Sequence, residues 1–390
     1  MLGFGSSRLV VLLASVLKPV DDTRIRGKFA ETLRSRPGAQ VHVAGRGRPG
    51  TGAVDEFGVY QHPIFSGDRM SWARLAAQWR YWRLLQRLRP NLVVVHAPEL
   101  LPLTLLWERL GRKRKFLYDV RENYALNVST QQVYQGNVRE VLAAGLRWVE
   151  AQAARRAAGI LLAEASYADE LPFLQAVPPA RVVVLENKYQ PAAAEASPAQ
   201  PKRLPPPEQP LRLLFSGTIS ELNGIWEAIE FAKQMRWAWP GGACLTVVGF
   251  CQQPELLVNL QEAAQQHAEW LTLVGGAELV PHSRVVAEIQ QSHVGLLPYR
   301  PHPSSERCRP TKLFEYLAHG LPILSSPNAL WHELLERHQA GLQLDFAVPV
   351  AGPALVAQLK SHHFYPRGAP AEALWVEEGK KLWLLLDSLV

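Results

Sequence analysis

The chain has little of what would tie it to an oxidising compartment or a bilayer. Its 390 residues include three cysteines, Cys244, Cys251 and Cys308. An odd number without metal-ligand spacing speaks against a disulfide framework and for a reducing compartment. No apolar run approaches the roughly 18–20 residues that cross a membrane. The first run, LVVLLA at 9–14, follows a single charge and makes a poor signal peptide, so it reads as a buried strand. Acidic residues are scarce in the first half: residues 1–190 carry 16 against 27 Lys and Arg, whereas residues 191–390 carry 19 against 15. The net charge of +7 therefore sits in one half, which is expected to face an anion: nucleic acid, a membrane surface or a phosphorylated substrate. What is abundant is apolar side chain, 47% of the residues, enough for real cores in two or three domains.

Short β-branched runs alternate with helical patterns. Strand-like runs fall at 9–14, 41–44, 92–96, 116–119, 159–163 and 181–185, with helix-like segments at 25–35 and 138–157. The second half repeats the pattern at 211–216, 245–249, 271–274, 294–297 and 322–325. Such alternation predicts an α/β chain with parallel sheets covered on both faces. QPAAAEASPAQPKRLPPPEQP, 190–210, is rich in Pro and Ala and reads as a linker. The expected organisation is two doubly wound, Rossmann-like domains at 1–190 and 211–370, with a linker at 191–210 and a helix at 371–390. That helix carries Trp375, Leu382, Trp383 and Leu386; it either caps the second domain or crosses back to the first. Ligands are expected at the carboxyl ends of strands, in a cleft lined by the loops of both domains.

Two stretches carry chemistry. RCRPTKLFEYLAHGLPI, 307–323, predicts a loop entering a helix, with Pro310 at the first helical position, Leu313, Phe314 and Leu317 on one stripe, and Gly320 and Pro322 ending it. Arg307, Arg309 and Lys312 crowd the positive end of the helix dipole, and Glu306 offsets one of them. These cations either point into water or hold an anion. LRLLFSGTISELNGIWEAIEFAKQM ends a strand at Ser216, continues through Gly217 and Thr218, and starts a helix near Gly224. Glycine at such a turn lets backbone N–H groups approach a phosphate. Both loops are expected on one sheet edge, where they would grip a diphosphate while Glu315 accepts ribose hydroxyls.

PTKLFEYLAHGLPI resembles the signature of GT-B nucleotide-sugar glycosyltransferases of the family-4 type. FSGTISELNG stands where that family has its donor loop. HAPELLPL (96–103) is similar to its acceptor-domain segment, YDVREN (118–123) to its Tyr-Asp-x-His-Glu, and SVLKPVDDTR (15–24) to the loop after its first strand. Thr218 and Asn223 replace the donor-loop Arg and Lys. Arg307 occupies the first place of Glu-x7-Glu, with Glu306 one residue out of register, and Pro98 replaces the second histidine.

The resemblance implies transfer of a sugar from a UDP- or GDP-sugar to a hydroxyl, with retention of configuration, no metal and no cofactor beyond the nucleotide-sugar co-substrate. It implies His96, Lys312 and Glu306 as catalytic residues. The donor side would comprise Gly217, Thr218, Asn223, Gly224, Arg307, Arg309, Thr311, Lys312 and Glu315, and the acceptor side Asp22, Arg24, Glu99, Arg121 and Glu122. A glycan or lipid-linked acceptor, surface polysaccharide or glycolipid synthesis, and a cytoplasmic place, peripheral on the inner membrane face, follow from it.

Rival readings are an inactive GT-B scaffold that binds partners, an epimerase, and, last, nucleic-acid binding, for which no module is seen. For His96 a buried histidine bonded to backbone competes, and for Asp22 and Arg24 a loop salt bridge. GRGRPG, 45–50, reads as a mobile basic loop. In the stretch 68–90, Trp72, Leu75, Trp79, Trp82 and Leu85 recur at helical spacing between Arg74, Arg80, Arg83 and Arg87. A domain helix is the first reading and contact with an anionic membrane the second.

Overall fold

A computed structural model describes residues 9–48, 52–68, 71–124, 137–192, 195, 199–349 and 352–389. The chain divides into two compact units, one of residues 1–190 with 375–390, the other of residues 191–374. The first holds a seven-stranded parallel sheet of β1 (Leu9–Pro19), β2 (Ala39–Arg46), β3 (Tyr60–Phe65), β4 (Leu92–Val95), β5 (Lys115–Val120), β6 (Gly159–Leu162) and β7 (Val182–Val184), in the order β3-β2-β1-β4-β5-β6-β7. Its strands β1, β4 and β6 are almost uninterrupted apolar runs because both faces are covered. Alternate residues feed two cores. Leu12, Ala14, Val93 and Val95 face the layer of α2 (Ala73–Leu88), α3 (Leu101–Arg109) and α4 (Asn137–Arg156). Val11, Leu13, Val41 and Val94 face Ile25, Phe29 and Leu33, from a π-helical turn (Ile25–Ala30) and α1 (Glu31–Arg34).

The second unit holds a six-stranded parallel sheet: β8 (Leu211–Ile219), β9 (Ala243–Cys251), β10 (Leu271–Gly276), β11 (Val294–Leu297), β12 (Ile323–Ser325) and β13 (Gly341–Gln343), in the order β10-β9-β8-β11-β12-β13. Around it lie α5 (Ile225–Ala238), α6 (Pro254–Gln266), α7 (His282–Gln291), α8 (Thr311–Ala318), α9 (Ala329–His338) and α10 (Gly352–Ser361). The last helix, α11 (Val376–Leu389), returns to the first unit: Leu382 and Leu386 enter its core, Trp375 Nε1 donates to Thr32 Oγ1 at 2.9 Å, and Lys188 pairs with Glu378 at 2.7 Å. Among the described residues no helix is long and apolar enough to cross a membrane.

Several details depart from expectation. β3 and β13 are strands the sequence pattern did not suggest. β3 contains Pro63, tolerated because an edge strand can spare an N–H. β13 has only three residues. Pro310 is extended (ψ 146°) and caps α8 rather than opening it. That helix is buried from Lys312 to Ala318, not on one stripe, because it lies inside the domain. Gly45 and Arg46 belong to β2, so only part of 45–50 is loop, and residues 49–50 lie outside the described residues. The Pro-rich segment is laid on the second unit, with Lys202 N donating to Gly320 O at 2.8 Å; within it, 193–194 and 196–198 also lie outside the described residues.

Candidate functional site

In the second unit the chain runs outward from β8 to β10, then restarts at β11 on the other side. Ligands of open parallel sheets bind at the carboxyl ends of the strands flanking such a switch point. Gly217 (φ +89°) lies near the end of β8, in register with Gly249 of β9, which is in register with Gly275 of β10. A Cβ on Gly249 would stand 1.7 Å from Gly217 O, so this shelf must be bare backbone. Gly224 (φ +79°) caps α5, and a Cβ there would stand 1.7 Å from Pro298 O, just past β11.

Lys312, in the first turn of α8, is buried. Its ammonium lies 4.6 Å from the Phe215 ring centre and 5.2 Å from that of Tyr299. A Cβ on Gly217 would meet Lys312 Cε at 3.3 Å and Nζ at 3.6 Å, so the side chain ends over that glycine. Nζ is buried and has no hydrogen-bond partner among the described residues. Burial, only partly offset by the charge of Glu315, brings its pKa down to about 8. A buried ammonium over a glycine at a switch point could pair with an anion. Buried Glu315 places Oε1 2.8 Å from Nε2 of His282, which opens α7 beyond β10.

Gly217, Gly224, Lys312 and Glu315 thus converge. Thr311 opens α8, and Thr218 is exposed beyond Gly217. Asn223 Nδ2 donates to Thr218 O at 2.8 Å, which closes the loop on itself. Arg309 reaches away to Glu333 on α9 at 3.4 Å. Glu306 and Arg307 are exposed before α8, and the Glu306 carbonyl accepts from Asn328 Nδ2 at 3.0 Å.

The first unit has its switch point between β1 and β4. His96 directly follows β4, Asp22 and Arg24 follow β1, Asp119 lies in β5, and Arg121 follows that strand. Arg24 donates to Asp119 twice, Nε to Oδ2 at 3.0 Å and Nη2 to Oδ1 at 2.7 Å, with both side chains buried. His96 Nδ1 lies 2.7 Å from the same Oδ2. Burial alone would raise the Asp119 carboxyl, but the Arg24 charge and the hydrogen bonds from His96 and Arg24 hold it well below the usual range. Burial lowers the His96 pKa more than Asp119 raises it. That favours the neutral imidazole, in which Nδ1–H donates to Asp119 and Nε2, buried without a hydrogen-bond partner among the described residues, presents its lone pair. Asp22 accepts from Arg24 N and Ile25 N at 3.1 and 3.0 Å and pairs with Arg121 at 3.0 Å. These groups come together. Glu99 instead pairs with Arg74 of α2, and Glu122 lies 3.7 Å from Lys18.

Sequence reasoning missed Asp119, the hub of this network, though an acid inside the apolar run FLYDV was a visible signal. It missed Gly249 and Gly275, signalled by strands that end alike in FSG, VVG and LVGG. His282 gave no signal, because its partner is distant in sequence.

The family model for the glycosyl transferase 4-like domain matches residues 24–188. No curated protein matches the chain in sequence. Among solved structures, sucrose-phosphate synthase from Thermosynechococcus elongatus is similar at 13% identity and TM-score 0.66, over 98% of this chain and 99% of that one. Anabaena HepE in complex with UDP-glucose is similar at 12% identity and TM-score 0.60, over 97% and 99%. The catalytic domain of starch synthase IV from Arabidopsis thaliana, bound to ADP and acarbose, is similar at 11% identity and TM-score 0.60, over 98% and 99%. The chain has the GT-B fold, and its residues 24–188 match the glycosyl transferase 4-like domain. In this GT-B chain the family match covers the Arg24–Asp119–His96 network, while at Lys312 and Glu315 the likeness is one of fold.

Proposed function

We propose that the chain transfers a sugar from a UDP- or GDP-linked nucleotide sugar to a hydroxyl acceptor with retention of configuration. Lys312 carries this reading: its unbonded, buried ammonium over Gly217 matches the diphosphate that leaves the sugar. Charge developing on that leaving group is met by Lys312 and the N-terminus of α8. The proposal therefore calls for no metal and no other cofactor. Glu315 would take the ribose hydroxyls. His96 Nε2 would accept from a hydroxyl of the sugar or the acceptor. A glycan or lipid-linked acceptor, a cytoplasmic place, and surface polysaccharide or glycolipid synthesis complete the reading. That HepE was solved with UDP-glucose and starch synthase IV with ADP supports a nucleotide in a chain of this fold.

One observation favours a second reading, a GT-B scaffold that binds without transferring. Asn223 spends its side chain on Thr218 O, so neither residue brings a cation to the donor loop. The test is nucleoside diphosphate release from UDP-, GDP- and ADP-sugars in EDTA, with the anomer of the product read by NMR. One sugar should turn over with its configuration kept, and Lys312→Ala should lower the rate about 100- to 1,000-fold. Nucleotide binding without any turnover would select the scaffold.

A further inference from the structure

The helical layer of α2, α3 and α4 covers one face of the first unit's sheet, with Tyr81, Leu85, Trp107 and Ala153 in a common core. Its outer surface is also apolar. Trp72 is 86% exposed and Trp79 is 58% exposed, with exposed Leu75 between them at helical spacing. Neighbouring α3 exposes Leu106 and Leu110, and α4 exposes Val141, Leu142 and Trp148. So many large apolar side chains on one layer mark a contact surface.

We infer that this layer docks peripherally on an anionic lipid bilayer. Charge selects that occupant. α2 carries four arginines and no acid. Three acids of the layer are already engaged: Glu108 pairs with Arg156 at 2.7 Å, Glu150 is buried and accepts from Tyr118 Oη at 2.7 Å, and Glu99 holds Arg74. Glu140 is exposed, against exposed Arg83, Arg87 and Arg147. The Arg83 guanidinium sits 4.6 Å from the Trp79 ring centre, so an indole and a cation are presented together, as the headgroup region favours. A second copy of the same face would set these cations against one another. The surface also adjoins the His96 network, because the Arg74–Glu99 pair ties the first turn of α2 to the turn after β4. That neighbourhood suits an acceptor carried in the bilayer; this last point rests on the transfer reading, whereas the docking does not.

The test is co-sedimentation of the full chain with vesicles of phosphatidylglycerol and phosphatidylcholine, and with phosphatidylcholine alone, at low and high salt. The wild type should bind the anionic vesicles, with a blue shift of tryptophan emission, and should release in salt. Trp72→Ser with Trp79→Ser should weaken binding at least about tenfold. Trp237→Ser, at an 89% exposed site in the second unit, should leave it unchanged. Absence of binding to anionic vesicles at low salt overturns the inference, as does binding that the α2 variant leaves intact. Self-association that the α2 variant abolishes, in a chain that ignores vesicles, assigns the face to a second copy instead.

Discussion

Lys312 is a charge the folded chain holds at its own expense. Its pKa falls from 10.5 in the free side chain to about 8, so between those values the unfolded chain binds a proton that the folded chain has released. Stability therefore rises with pH through that window, and below pH 8 the full penalty of up to about 3 kcal/mol stands. Lys312→Met is predicted to raise the Tm at pH 7 while removing the nucleotide response; a lowered Tm would mean that the ammonium is already satisfied. Asp119 is the opposite case. Its depressed pKa contributes stability above the unfolded value of 3.8, and that contribution is lost as pH falls below it. Asp119→Asn should cost about 3–5 kcal/mol near neutrality, since Arg24 is left buried without its counter-charge. Acid unfolding monitored for both proteins checks this: the difference between them should shrink as pH falls below about 4.

The elements themselves were largely legible. Apolar runs such as LVVLLA and LRLLF, short and bounded by turn signals, read as buried strands, and their alternation with helices points to parallel sheets. Edge strands were the gap, since β3 with its Pro63 and the short β13 lack a two-sided apolar pattern. The cations at the start of α8 were legible as a problem, and the structure divides them: Lys312 turns over Gly217 while Arg309 leaves for Glu333. Which partner each takes depends on chain far away in sequence, as with Arg24 and Asp119 or His282 and Glu315, so no local pattern could have shown it. The glycine shelf makes a prediction at this scale. Gly249→Ala should cost about 3 kcal/mol or more and abolish nucleotide binding, because its Cβ would displace β8. Gly242→Ala, also at positive φ but in open space, should cost only about 1 kcal/mol and leave binding intact. Denaturant melts with a nucleotide titration separate the two.

At the scale of the whole molecule, each unit gathers its unusual chemistry at its own switch point. The second unit holds a buried ammonium over a glycine, and the first holds an imidazole braced by a buried ion pair. The charge asymmetry of the sequence has a physical home in the first unit, where arginines line an outward helical layer. The most direct test of the account is calorimetric titration of UDP, GDP and ADP into the wild type and Lys312→Met, in EDTA, from pH 7 to pH 9. The account predicts that one nucleotide binds the wild type, that binding takes up a proton and weakens by up to about tenfold per pH unit above pH 8, and that the folded variant loses it. Absence of binding at millimolar nucleotide, or equal affinity in Lys312→Met, would contradict it.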